Sequence, residues 1–168
     1  MQSVEKRAFQ MARFATGQAD EAMDLVQDAM LAFVRRYQDK PEAERRPLFF
    51  RVLQNRIRDW RRRRQVRDRW FVWRPRATGD EREEADPIDA LPDPGGETPE
   101  SVLDARDAVQ AINAAIGRLP FRQQQAFLLR TWEELSVADT ARAMGCSEGS
   151  VKTHHARAVQ SLREWLKD

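Results

Sequence analysis

Wherever apolar residues are dense in this chain they recur at three- and four-residue spacing, which predicts helices. Residues 4–16 read as a first helix, closed by Gly17. Residues 19–37 read as a second, with Ala22, Leu25, Val26, Ala29, Met30, Phe33 and Tyr37 along one face. A polar loop follows through Pro41. Pro47 stands where a first helical residue is favoured, so a third helix is expected from there to about Arg64. Its inner row is Phe49, Leu53, Ile57 and Trp60. No alternating stretch suggests a strand.

From Arg74 to Pro99 the periodicity collapses. Pro75, Pro87, Pro92, Pro94 and Pro99, with Gly79, Gly95 and Gly96, oppose both helix and strand. The pattern then restarts. Thr98 is a candidate N-cap with Pro99 in the first turn, and a helix is expected to about Gly117. Pro120 opens the next, "PFRQQQAFLLRTW". The expected fold class is all-α: two small helical domains, residues 1–73 and 101–168, each folding by itself, joined by a linker over residues 74–100.

The end of the chain, "SVADTARAMGCSEGSVKTHHARAVQSLREWL", has the grammar of a helix-turn-helix. Ser136 caps a short helix, with Asp139 in the capping-box place. Ala138, Ala141 and Met144 form its inner face. Gly145 supplies a left-handed turn residue and Ser147 caps the second helix. There, Val151, His155, Ala158, Leu162 and Trp165/Leu166 make one apolar stripe. Gly149, Thr153, Arg157 and Gln160 lie opposite, flanked by Ser150, Lys152 and His154. Small and hydrogen-bonding residues at the start of such a helix suit entry into a DNA major groove. An ordinary helical hairpin with a solvated face shares this grammar; the spacing favours DNA.

Charge changes the picture of the third helix. The net charge of the 168 residues is only +2, but its distribution is uneven. Residues 1–76 hold 19 Lys/Arg against 10 Asp/Glu, and residues 77–100 hold one basic and nine acidic residues. The acidic stretch should repel itself and extend. In "FFRVLQNRIRDWRRRR", Arg51, Asn55, Arg58 and Arg62 follow steps of four, three and four on the face opposite the apolar row. Guanidinium groups bind phosphates with paired bonds, and an Asn among them can read a base edge. Trp70, Phe71 and Trp73 follow among Arg67, Arg69 and Arg74, an interleaving that suits an unpaired strand on which bases stack. The bland alternative is a solvated basic helix. The net charge of +9 over residues 51–76 exceeds what solubility needs.

Other chemistry is thin. The single cysteine, Cys146, permits no intramolecular disulfide and fits a reducing cytosol. Cys146, His154 and His155 do not make a metal site, because adjacent histidines point about 100° apart on a helix. His155 instead reads as a half-buried packing residue. No apolar run approaches the roughly 20 residues that span a membrane, and Glu5, Lys6, Arg7 and Arg13 interrupt any signal-peptide pattern. Without a glycine-rich phosphate loop or a defensible carboxylate pair, an enzyme is not expected, and no cofactor is implied.

On these motifs the sequence resembles the extracytoplasmic-function group of bacterial RNA polymerase sigma factors. "DEAMDLVQDAMLAFVRRY" is similar to that family's polymerase-docking helix, and "FFRVLQNRIRDWRRRR" to its minus-ten helix. "AIGRLPFRQQQAFLLR" and "SEGSVKTHHARAVQSLR" resemble its C-terminal domain, which reads the minus-thirty-five element. The resemblance implies a cytoplasmic promoter-specificity subunit with core RNA polymerase and promoter DNA as partners, and an anti-sigma factor as a further candidate. It implies that Asp24, Gln27, Asp28, Leu31 and Arg35 face the clamp helices of the polymerase's largest subunit, with the polymerase flap as a second contact. Asn55, Arg58, Asp59 and Arg62 would lie near the opened minus-ten strand. Ser150, Lys152, Thr153, His154 and Arg157 would meet the minus-thirty-five duplex. The linker would thread toward the active-site and RNA-exit path. The chain departs from the family in a shortened first helix, in His155 where an aliphatic residue is usual, and in Trp132 where smaller or charged residues are common. "EGSVKTH" also resembles the recognition helix of LuxR-type regulators, but residues 1–73 resemble neither a ligand-binding nor a phospho-acceptor domain.

Overall fold

The computed structural model describes residues 2–71 and 99–167, with the side chains of residues 4–68 and 107–167. Trp73 and residues 74–98 of the sequence-defined linker therefore lie outside the described residues, as do the side chains of Trp70 and Phe71, whereas Pro99 and Glu100, assigned to the linker from sequence, open a helix. Among the described residues all regular structure is helical. Helices α1 (Gln2–Thr16), α2 (Ala19–Tyr37) and α3 (Glu42–Phe71) form an N-terminal group. A C-terminal group comprises α4 (Pro99–Arg118), α5 (Phe121–Phe127), a wide π-helical turn (Leu128–Trp132), α6 (Val137–Met144) and α7 (Glu148–Trp165).

The N-terminal core follows the apolar rows. Ala8, Met11 and Ala12 of α1 meet Ala22, Leu25, Val26 and Ala29 of α2, and Phe49, Phe50, Leu53, Ile57 and Trp60 of α3. Gly17, at φ 77°, turns the chain between α1 and α2 and donates its N–H to the Arg13 carbonyl. Phe49 stands edge-on to Phe33 at 5.8 Å. The Trp60 indole donates to the Glu21 carboxylate, which satisfies its polar atom at the end of the row.

Helix α3 departs from expectation at both ends. It begins at Glu42, and Pro47 lies inside it. The start is set by Glu42 and Glu44 in the first turn, where acidic side chains favour the positive end of the helix dipole. Arg45 fastens the corner by donating to the Lys40 and Gln38 carbonyls at 2.8 and 3.1 Å. Pro47 follows so soon that its missing N–H removes one early bond. At the other end the helix runs past Arg64 to Phe71. Arginine is a good helix former, and no proline intervenes before Pro75.

The C-terminal group follows the sequence closely. The Ser136 hydroxyl accepts from the Asp139 N–H at 3.0 Å, and the Ser147 hydroxyl from the Ser150 N–H at 3.2 Å, so both serines are N-caps. Gly145 takes the left-handed conformation, φ 63°. Buried apolar side chains from both groups form one contiguous cluster, with α3 packed against α6.

Candidate nucleic-acid interface

Three faces carry the residues singled out by sequence. On α7, Val151, Ala158 and Leu162 are buried, and the opposite side is free. Lys152, Thr153 and Arg157 are exposed, while Ser150 and His154 are half-buried at the margin. The Thr153 hydroxyl donates to the Gly149 carbonyl at 3.0 Å, which holds its methyl and oxygen in one orientation. The hydrogen bonds from Arg142 and Ser136 lower the pKa of Asp139 from the ordinary carboxylate value, which favours a charged capping box on α6. The helix-turn-helix thus presents small and polar residues, with the exposed cations Lys152 and Arg157, on a capped frame.

His155 is the half-buried packing residue that the apolar stripe suggested. Its ring stacks on Phe127, centroids 6.4 Å apart, and Nε2 lies 3.1 Å from the Thr131 hydroxyl. Burial, and secondarily Arg130, push the imidazole below the ordinary histidine range. Among the described residues no group of His, Cys, Asp and Glu is arranged to hold a metal ion.

The polar face of α3 is divided. Asn55 and Arg62 are exposed, as are Arg51 and Arg56. Asp59 lies 3.6 Å from Arg62 in a surface pair. Arg58 is turned inward: its Nη2 donates to the Ala143 carbonyl at 3.1 Å, and its guanidinium rests beside Gly145. Arg61, which the sequence pattern did not single out, lies over the Phe121 ring at 4.1 Å. Burial lowers the pKa of both guanidiniums, aided at Arg58 by the neighbouring Arg122.

The α2 face lies apart from both. Asp24, Gln27, Asp28, Leu31 and Arg35 are all exposed. Leu31 is 57% exposed, and beside it stand Val34 at 53% and Met23 at 44%. Sequence reasoning missed these two, although Met23, Gln27, Leu31 and Val34 follow steps of four, four and three. That spacing marks a second helical row, distinct from the buried one. An exposed apolar row rimmed by Asp24, Asp28 and Arg35 has the composition of a protein-docking surface.

Comparison with known proteins points to one family. The family described as Sigma-70 region 2 matches residues 1–67, and the family Sigma-70, region 4 matches residues 109–162. The ECF RNA polymerase sigma factor BldN of Streptomyces coelicolor is 42% identical over 69 residues, 41% of this chain and 26% of that protein. SigD of Mycobacterium tuberculosis, another ECF sigma factor, is 33% identical over 91 residues, 53% of this chain and 42% of its own. The chain thus spans less than half the length of the first curated relatives that it matches. The RNA polymerase sigma-E factor of Streptomyces antibioticus is 30% identical over 148 residues, 88% of this chain and 71% of that protein. The sigma factor RpoE of Bartonella quintana, crystallised with the anti-sigma factor NepR, shares the fold at TM-score 0.66 and 24% identity, covering 99% of this chain and 93% of that one. With region 2 matching the helices that carry the exposed α2 row and the arginine face, region 4 matching the helix-turn-helix, and likeness to a sigma factor along nearly the whole length, the chain belongs to the extracytoplasmic-function group of the sigma-70 family.

Proposed function

We propose that this chain is a promoter-specificity subunit: it binds core RNA polymerase, recognises minus-thirty-five and minus-ten elements, and directs transcription initiation without catalysing a reaction itself. The observation that carries the reading is the exposed α2 row, with Leu31 as its apolar centre. A free-standing regulator needs the α7 face but has no use for a docking row on a separate helix. In this reading α2 seats on the clamp helices of the largest polymerase subunit, and the C-terminal group meets the flap. The α7 face enters the minus-thirty-five major groove with Ser150, Lys152, Thr153, His154 and Arg157. Asn55, Arg58, Asp59 and Arg62 approach the opened minus-ten strand, where arginine fits phosphate and asparagine a base edge. The site of action is the cytoplasm, and no described helix is long and apolar enough to cross a membrane. A protein with the role that NepR has beside the Bartonella sigma factor is a candidate partner. The test is transcription in vitro with core polymerase and a library of promoter fragments. Selective transcripts that depend on the chain support the reading. Failure to associate with any core polymerase, with the chain folded, would defeat it.

A further inference from the structure

Two glycines of the C-terminal group, Gly117 and Gly149, stand in regular helix, where glycine is the least suitable residue apart from proline. Gly17 and Gly145, at φ 77° and 63°, hold left-handed turns that a side chain would strain. Gly149 holds no such turn. It lies in the first turn of α7, between Glu148 and Ser150. A Cβ added there would meet only the Ser147 hydroxyl, at an ordinary contact distance of 3.9 Å. The protein's own packing therefore leaves room for a side chain at this position, and alanine would suit the helix better.

The position of Gly149 on the helix shows where that room lies. Val151 and Ala158 are buried without any exposure. At about 100° per residue, Gly149 is about 160° from Val151 and about 180° from Ala158, so it points directly away from the core. Thr153 and Arg157 follow it in steps of four, within about 80° of the same direction. Gly149 thus begins the row that the proposed function turns toward the minus-thirty-five duplex. The Thr153 hydroxyl donates to the Gly149 carbonyl at 3.0 Å, so this side chain too is drawn back onto the helix.

We propose that Gly149 is the point at which the α7 backbone lies in van der Waals contact with base edges on the floor of the major groove. It is a positioning residue. With no side chain of its own, it sets how deeply the helix seats, and so whether Thr153 and Arg157 reach their hydrogen-bonding distances. A methyl group at 149 would hold the helix away from the bases, and hydrogen bonds weaken steeply once stretched. The inference rests on the reading of α7 as the duplex-reading helix and adds to it a residue that makes no side-chain contact.

The test uses the full chain, in which Lys152, Thr153 and Arg157 of α7 are exposed. The probes are a DNA duplex that the parent chain selects from a randomised library and an unrelated duplex of equal length, at one fixed salt concentration. Melting temperature and affinity for both are measured for Gly149→Ala, Gly149→Leu and Gly117→Ala. Gly149→Ala should melt roughly 2 °C higher than the parent. It should nevertheless bind the selected duplex about tenfold more weakly, with a much smaller change on the unrelated one. Gly149→Leu should bind the selected duplex more weakly still. Gly117→Ala, the same exchange on α4, should keep the parent affinity for both. A role confined to the fold would not raise stability and lower affinity together. Parent affinity for the selected duplex in both Gly149 variants overturns the contact. An equal loss on the two duplexes overturns its placement against base edges, and a Gly149→Ala chain less stable than the parent shows that the fold itself needs the glycine. A parent chain that selects no sequence at all defeats the duplex reading of α7, and the contact with it. Selection by the parent with unchanged binding by the variants defeats the contact alone.

Discussion

Arg58 and Ala143 join the basic face of α3 to the end of α6 by a single 3.1 Å hydrogen bond. The last carbonyls of a helix have no partner within it, and they form the negative end of its dipole. Ala143 and Met144 lie in that last turn, and two arginines answer them: Arg58, and Arg122, which donates to the Met144 carbonyl at 2.8 Å. Arg58 therefore has a protein acceptor here and, in the proposed function, a phosphate.

Arg58→Ala and Asn55→Ala should impair opening of the promoter more than its initial binding, because in the proposed function both residues approach the strand that becomes unpaired. Arg58→Lys should restore little, since an ammonium cannot reproduce the planar, two-bond fit of a guanidinium to phosphate. Permanganate reactivity of the minus-ten thymines, set beside a binding isotherm, measures the two steps separately. Normal strand separation in both alanine variants would remove the assignment.

On α2, the double change Gln27→Ala with Leu31→Ala should abolish transcription through loss of core binding. Truncating an interface anchor commonly costs about 2 kcal/mol or more, roughly thirtyfold in affinity. Val34→Ala should weaken binding in the same direction, since Val34 adjoins Leu31 in the row and is comparably exposed. Because these side chains contribute little to the core, thermal melts should stay near that of the parent. Co-purification with core polymerase at the parent affinity would defeat the docking assignment.

Thr153→Ala and Arg157→Ala should alter upstream recognition in different ways. Loss of a base contact relaxes selectivity at one position by about 1–3 kcal/mol, whereas loss of a phosphate contact weakens all sequences alike. Selection from a randomised minus-thirty-five library distinguishes these outcomes. Unchanged preference and affinity in both variants would mean that α7 does not read the duplex.

His155 should make the C-terminal group sensitive to acid. In the unfolded chain its imidazole gains a proton near pH 6.5, the ordinary value of about that size. In the folded chain burial delays this to lower pH. Above the ordinary value both states are neutral and the residue has no pH-dependent effect. As pH falls below it, the unfolded state binds a proton that the folded state does not, and stability declines until folded His155 is protonated too. Melting curves from about pH 8 to about pH 5.5 should show this loss, and His155→Leu should flatten that part of the profile.

Much of this arrangement was legible in the sequence because local signals decide it. The α2 boundaries, the serine caps and Gly145 follow from caps, breakers and periodicity. The start of α3 was not, because Pro47 resembles a first-turn residue while acidic residues and Arg45 set the true start earlier. Met23 and Val34 were overlooked because the stronger buried row on the same helix masks the second one. The contacts of Arg58, Arg61 and Glu133 could not be read at all. They join residues far apart in the chain, and a polar stripe looks the same whether its partner is DNA, solvent or another part of the protein. Glu133 carries no local mark of burial, since its cations, Arg7 and Arg46, lie on α1 and α3.

The wide turn at Leu128–Trp132 sets a one-sided tolerance to changes in length. Gln125 and Glu133, eight residues apart, both face the N-terminal group, toward Gln54 and Arg46 of α3. In a regular α-helix, eight steps of about 100° would leave them about 80° out of line, whereas seven would leave about 20°. The π-helical hydrogen bond, Glu133 N–H to the Leu128 carbonyl at 3.1 Å, absorbs the additional residue. Deleting Arg130 or Thr131 would let the segment relax to ordinary helix with both contacts still aimed at α3. Inserting a residue there would swing Glu133 to about the opposite side, nine steps from Gln125, leaving its carboxylate beyond the reach of Arg46.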